Sequence, residues 1–447
     1  MGAPVRAARR LPLLGYAVPF ARDPLAFTMG LRDRGELVRV PIVGSAIWVV
    51  NDPELVRTVL TSSVYERGPQ ADRVRSFLGN GLVTSDGAVH KRNRRLVQPA
   101  FHRERISSYA AVMEQEASAM TAAWRDGEPI DVTAALMHLT LRVVGRTLFS
   151  SELATDVVDA VVSTVPVILD GVGRKSRNPL PALGQLPTRS NREFERALHR
   201  IRTTVDQEIA RYRTEGVDKG DMASMLMLSV DADTGERLSD KEVRDEVITI
   251  FAAGTETTSN TVSWVLHVLG GRPDLEQRLQ TEVDDVVGDR PATIADVPRL
   301  ESIRRMVTES LRLYPQAWAL MRAPIHDVQL GDTHLPAGTP LLLPLWAIHR
   351  DPAVYPDPDV FDPDRWLPEL DSAGRRPSFV PFGGGRHICL GEAFAWTEAA
   401  IVIATIVRRW RLRPLPGHRV GMNSLSTIKP TQLRMTPGTR NPAPNTP

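Results

Sequence analysis

Phe382-Gly383-Gly384-Gly385-Arg386-His387-Ile388-Cys389-Leu390-Gly391 holds the only cysteine among 447 residues. A strongly apolar segment, Ala393 to Trp410, follows directly. Glycine lets a backbone approach a flat ligand or take positive φ, and three glycines stand just ahead of the thiol. Helix from Leu390 onward would put Cys389 at a helix N-terminus, where unpaired N–H groups and the dipole favour a thiolate. Arg386 and His387 read as a cationic pair that would add to that effect. The arrangement suits a sulfur that stays anionic and binds a metal. The competing reading is a buried cysteine packed as a small hydrophobe. A phosphate-cradling loop is excluded, because no Lys-Ser or Lys-Thr follows the glycines.

Composition narrows the class. Hydrophobic residues make up 42% and charged residues 24%, ordinary for a globular chain with a large core. The formal net charge of +2 gives nucleic-acid binding no support. A single cysteine rules out an intrachain disulfide and fits a reducing compartment. Leu11 to Gly15 is too short and proline-broken for a signal core, and no N-terminal apolar run reaches membrane-span length. The expectation is a cytoplasmic protein that uses no membrane. Pro437 to Pro447 is Pro/Asn/Thr-rich and is expected to be a disordered tail.

Pattern places the elements. Leu37 to Val50 alternates around Gly44-Ser45 and reads as a hairpin. Asp52-Pro53 opens a short helix, Glu54 to Leu60, and Tyr65 to Thr84 reads as a long loop. Helical periodicity runs over Ser107–Trp124, Val132–Phe149 and Arg192–Thr214. Another helix begins at Val161 and is expected to break within Gly171–Pro187. His90 and Arg94 share one helical face at i and i+4.

Ser239 and Glu242 form a capping box that starts a helix of about thirty residues ending near Gly270. Its centre, Ala253-Gly254-Thr255-Glu256-Thr257-Thr258, is polar where a long helix should be most buried. Thr can bond back to the i−4 carbonyl and bend a helix, so a structural kink is one reading. The other is a groove for dioxygen with Glu256 and Thr257 as a proton-delivery pair. Glu309 and Arg312 lie at i and i+3 on a helix ending before Pro315, and Leu341 to Trp346 is strand-like.

The spacing F-x-x-G-x-[R/H]-x-C-x-G resembles the haem-binding loop of the cytochrome P450 family, whose haem carries a thiolate ligand. Ala253-Gly254-Thr255-Glu256-Thr257 is similar to that family's oxygen-binding motif, with Glu for the commoner Asp. Glu309-x-x-Arg312 and Phe361-Asp362-Pro363-Asp364-Arg365-Trp366 resemble its Glu-Arg-Arg network, with Asp364 and Trp366 replacing the commoner Glu and Phe. The motifs occur in the family's order from Gly87 to Gly391, so the likeness covers nearly the whole chain.

The resemblance implies a mainly α fold with a small β-rich lobe, residues 1–436 forming one unit, and haem b between the long helix and the cysteine loop. It implies Cys389 as metal ligand, with His90, Arg94, Arg322, Arg386 and His387 holding the cofactor. The implied activity is insertion of one atom of O2 into an unactivated C–H bond of a small lipophilic substrate, first of all a terpenoid. Expected wall positions are Phe77, Leu78, Val167, Ile168 and Ile250, followed by Ala253, Trp318, Leu320 and Leu425. Fatty acids, macrolides and steroids are the alternative substrates. A peroxygenase or a non-catalytic haem-binding protein would not need Glu256-Thr257. No flavin or iron–sulfur motif is present, so electrons are expected from a ferredoxin and ferredoxin reductase acting on a monomer. Lys91, Arg92, Arg95, Arg103, Arg408 and Arg409 are the basic residues expected to face them.

Overall fold

A computed structural model describes residues 15–42, 45–149, 154–177, 186–368, 378–424 and 426–440. Among the described residues there are fifteen α-helices, most of them packed into one large apolar core, and a smaller β-rich lobe sits beside it. Helix Asp240–Gly271, 32 residues long, runs through that core. Its start carries both bonds of the capping box: Ser239 Oγ accepts from Glu242 N–H, and the Glu242 side chain accepts from Ser239 N–H.

Strands Leu37–Ile42 and Ser45–Val50 pair antiparallel, Leu37 opposite Val50. They belong to a five-stranded sheet completed by Leu341–Leu343, Leu320–Pro324 and Tyr65–Glu66. Helix Pro53–Thr61 follows the hairpin, with Asp52 accepting from Leu55 N–H. Leu341 to Trp346 is strand only as far as Leu343, and helix Leu345–Ile348 takes over.

Four expectations require correction. Tyr65 to Thr84 is not a loop, because it contains strand Tyr65–Glu66 and helix Pro69–Leu78. Pro69 at the first helical turn supplies the φ a helix needs, and its missing N–H would have no partner there anyway. The helix expected to begin at Val161 and to break within Gly171–Pro187 starts earlier, at Ala154, and runs on past Gly171 to Arg177, with Pro166 inside it. Gly171 serves packing: a Cβ there would lie 2.0 Å from the Phe194 ring on the neighbouring helix Arg189–Glu215. The helix after the cysteine begins at Glu392, not Leu390, with Gly391 as its N-cap. Finally, Pro437 to Thr439 is ordered in strand Arg434–Thr439, which pairs with Trp410–Pro414. Residues 441–447 lie outside the described residues.

Candidate active site

The middle of the central helix divides by face. Ala253 is exposed and Thr257 half-buried, although Phe251, Thr255, Glu256 and Thr258 around them are buried. Mid-helix exposure inside a core marks an adjoining interior space. The Thr257 hydroxyl donates to the Ala253 carbonyl at 2.8 Å, and Thr255 does the same to Phe251 at 2.9 Å. Glu256 turns the other way. Its carboxylate accepts from Lys429 Nζ at 2.9 Å and Ser426 Oγ at 3.1 Å. Glu256 and Thr257 are successive residues about 100° apart around the helix, and they point at different neighbours.

In the cysteine loop, Cys389 N–H donates to the Phe382 carbonyl at 2.9 Å. Gly385 takes φ +61°, and a Cβ there would sit 2.2 Å from the Leu60 carbonyl oxygen, so the loop can lie against helix Pro53–Thr61 only with glycine at this point. Cys389 is accessible, yet burial by surrounding protein pushes its thiol pKa up, with Gly391 N–H and Arg94 opposing. The expected cationic pair does not form. Arg386 turns outward to Glu66 at 2.8 Å and to the Ser63 carbonyl at 2.7 Å. His387 is buried, and desolvation together with Arg67 lowers its pKa to about 2, so it is neutral.

His387 instead anchors a corner that sequence spacing could not reveal. Arg67 Nη1 lies 2.7 Å from His387 Nδ1 and, being always protonated, donates to it. His387 Nε2 then carries the hydrogen and donates to Glu66 Oε2 at 3.1 Å. His90 packs on the His387 ring with centroids 4.2 Å apart, and burial lowers its pKa to about 4. Burial and Asp86 raise the Glu66 carboxyl to about 7. Arg94 Nη1 donates to the Ile388 carbonyl at 2.8 Å, which ties its helix, Gly87–Val97, to the cysteine loop.

Arg322 belongs to the same corner. It is buried, its one side-chain hydrogen bond among the described residues goes to the adjacent Met321 carbonyl, and its Nε has no partner. Desolvation, then the Arg67 charge, lowers its pKa to about 10. A buried guanidinium without a carboxylate is costly unless an anion completes it. Accessible Cys389, two neutral imidazoles and this unpaired arginine fit a metal-bearing ring with carboxylate arms.

Glu309, Arg312 and Arg365 come together. Glu309 and Arg312 are fully buried, with Arg312 Nη2 and Nε donating to Glu309 at 2.7 and 2.9 Å. Arg365 Nε stands 3.4 Å from Glu309 and donates through Nη2 to the Asp357 carbonyl. Trp366 Nε1 and Asp362 N–H donate to the same carboxylate at 2.9 and 3.0 Å. Asp364 pairs with Arg278 and Arg305.

Among the buried acids that sequence reasoning missed, two more have raised pKa values. Glu246 accepts from Leu82 N–H and from Asn93, both at 3.0 Å, and burial raises its pKa to about 7. Glu398, on helix Glu392–Arg409, is fully buried near Thr258 with its pKa raised to about 8 by burial. A Glu among apolar residues at helical spacing was the available signal for both.

The expected wall residues separate. Val167, Ile250, Ala253 and Leu320 retain accessible surface. Leu78 and Ile168 are packed in the helical core. Phe77 stacks edge-on against Phe194 at 5.2 Å, and Trp318 lies against Phe20 at 6.3 Å. Leu425 lies outside the described residues. Of the basic surface residues, Arg92 is paired to Glu236 and Glu242, Arg95 to Asp231 and Asp233, and Arg408 donates to the Asp289 carbonyl. Lys91, Arg103 and Arg409 are exposed without an ion pair among the described residues.

Among known proteins, the chain is 42% identical over 433 residues to cyclooctatin synthase of Streptomyces melanosporofaciens, covering 96% of this chain and 94% of that one. It is 40% identical over 408 residues to cyclooctat-9-en-7-ol 5-monooxygenase of the same organism, covering 91% and 89%. Pentalenene oxygenase of Streptomyces avermitilis is 38% identical over 435 residues, covering 97% and 96%. The crystal structure of the cytochrome P450DA heme domain superposes with a TM-score of 0.88 at 26% identity, covering 98% of both chains. With the cytochrome P450 family model matching residues 5–436, the chain belongs to the cytochrome P450 family and is a monooxygenase that works through a haem-thiolate iron.

Proposed function

We propose that this protein is a terpenoid hydroxylase holding haem b through Cys389, with Arg322, Arg94 and His90 receiving the carboxylate arms. The observation that carries the reading is the pairing of an accessible Cys389 with an accessible Ala253–Thr257 face in an otherwise buried helix. Names of similar proteins support the substrate class, since cyclooctat-9-en-7-ol and pentalenene are terpenoid compounds. The expected wall residues that keep surface, Val167, Ile250 and Leu320, are apolar and suit a hydrocarbon body.

Thiolate-ligated haem supplies activation of dioxygen and insertion of one oxygen atom into a C–H bond. The residues of this chain position and supply protons. Arg322 gains the anion that its burial lacks. Thr257 presents its Oγ on the accessible face and can hold a proton there by exchanging its bond to the Ala253 carbonyl. Glu256, buried beside Lys429 and Ser426 and about 100° round the helix from Thr257, is the acid that resupplies that proton. Glu309, Arg312 and Arg365 fix the segment behind the cysteine loop and take no part in the chemistry.

Electrons come from a ferredoxin and its reductase, acting on a cytoplasmic monomer. Lys91 and Arg103 are the exposed cations that suit an acidic donor. Among the described residues, no helix is long and apolar enough to cross a membrane.

The test is a binding titration of the purified holoenzyme with polycyclic terpene hydrocarbons and alcohols, fatty acids, steroids and macrolides, followed by product analysis with a ferredoxin system. Terpenoids should give the substrate-induced spectral shift and a hydroxylated product. Shift and turnover with fatty acids alone would overturn the substrate class.

A further inference from the structure

The C-terminal hairpin, strands Met422–Asn423 and Lys429–Pro430, is stitched to the central helix at successive turns. Glu256 bonds Ser426 and Lys429, Asn260 donates to Thr427 Oγ1 at 3.0 Å, and Trp264 Nε1 donates to the Ile428 carbonyl at 3.0 Å. Positions 256, 260 and 264 form one i, i+4, i+8 stripe, so the hairpin's register on the helix is fixed. Lys429 also reaches a third element. Its Nζ lies 3.1 Å from Asp170 Oδ1, on helix Ala154–Arg177. One ammonium thus bridges a carboxylate that is 2% exposed and one that is 52% exposed.

We propose that Lys429 is a positioning residue for the monooxygenase reaction: it fixes the Glu256 side chain, about 100° round the central helix from Thr257, and ties that hold to helix Ala154–Arg177 through Asp170. This rests on the proton-supply role given to Glu256 above. Two carboxylates share one ammonium, so the grip on Glu256 depends on where Asp170 stands. Burial acts against the ammonium, but the two acids together still raise its pKa, so it stays charged throughout the working range. Among the described residues, the ionisable groups bonded to Glu256 or Asp170 reduce to Lys429 alone, with Ser426 the other partner of Glu256.

The experiment compares Lys429→Met, Lys429→Arg, Asp170→Asn and Glu256→Gln holoenzymes. Coupling is read as product formed per reduced nicotinamide, across pH, alongside amide hydrogen exchange of residues 154–177. Lys429→Met should lower coupling about tenfold and alter its pH profile, with Lys429→Arg restoring most of it. Exchange in the helix should quicken roughly two- to fivefold in Lys429→Met and Asp170→Asn, the size expected of one partly exposed pair. If Glu256→Gln uncouples while Lys429→Met behaves as wild type, the proposal fails and the role of Glu256 stands. If neither uncouples, both fail together. Unchanged exchange in both Lys429→Met and Asp170→Asn overturns the tie to the helix.

Discussion

Replacing Glu309 by alanine tests the physical basis of the haem-side scaffold. The carboxylate is fully buried and takes two bonds from Arg312, one from Trp366 and one from Asp362 N–H. Without it, Arg312 keeps only the carbonyls of His349, Pro358 and Val360, at 2.9, 2.7 and 3.1 Å. Carbonyl dipoles satisfy its hydrogens but do not neutralise its charge. Breaking one side of a buried ion pair costs about 3–5 kcal/mol, and a stranded indole or amide N–H adds about 1–3 kcal/mol where it cannot relax. These losses overlap, so about 5 kcal/mol is the expected total, a large share of the roughly 5–15 kcal/mol that holds a domain folded. Trp366→Phe, which removes one donor and leaves the pair intact, should cost only about 1 kcal/mol. Haem content per chain and the urea midpoint, followed by intrinsic fluorescence and by the carbon monoxide band, provide the assay. Glu309→Ala should accumulate mostly as haem-poor protein, while Trp366→Phe loads normally. A fully loaded Glu309→Ala protein with the wild-type midpoint would refute the reasoning.

Cys389→Ala should abolish the far red-shifted Soret band of the ferrous carbon monoxide complex; persistence of that band would remove the cysteine from its assigned position. Thr257→Ala should bind haem and substrate normally yet release more hydrogen peroxide and roughly tenfold less product per electron pair, whereas Thr258→Ala, buried beside Glu398, should keep its coupling. Glu246 carries a folded pKa of about 7 against the ordinary 4.5, so the folded state holds the extra proton between those values. Its contribution is therefore full below about pH 4.5 and lost as pH rises to about 7; Glu246→Gln should flatten that part of the stability–pH curve, and an unchanged slope would show another group responsible. Lys91→Gln with Arg103→Gln should slow reduction by an acidic ferredoxin severalfold at low salt and flatten the salt dependence; identical rates at both salt levels would place the docking face elsewhere.

The fold was legible where a signal is local. The Ser239–Glu242 capping box, Asp52 ahead of Pro53 and the alternation of Leu37 to Val50 each fix geometry within a few residues, and the structure has all three. Proline and glycine misled the reading where the apolar pattern outweighed them. Val158, Val161, Val165 and Ile168 are buried at spacings of three and four, a continuous helical face across Pro166. Following that stripe back from Val161 to Val158 would have placed the start of the helix earlier. Pro437 likewise sits in a strand: Arg434–Thr439 is the middle of a three-stranded sheet, but strand Ile130–Asp131 pairs only with Arg434 and Met435, so at Pro437 one side of the strand has no ladder partner and a missing N–H is tolerated.

At the site, spacing identified side chains but not the partners that decide their charge. Arg67 and Glu66 come from a stretch read as loop, and Lys429 from a hairpin with no motif, yet they govern His387 and Glu256. The consequence is sharpest at Cys389. Sequence proximity suggested that Arg386, His387 and a helix N-terminus would make a thiolate. In the fold Arg386 faces Glu66, His387 is neutral, and the helix begins three residues later. Burial raises the thiol pKa, so this chain by itself favours the protonated sulfur at neutral pH. A coordinating metal deprotonates a thiol outright. On the proposed ligation the thiolate would come with the metal, and what the loop provides in advance is access and a fixed backbone through the Cys389–Phe382 bond.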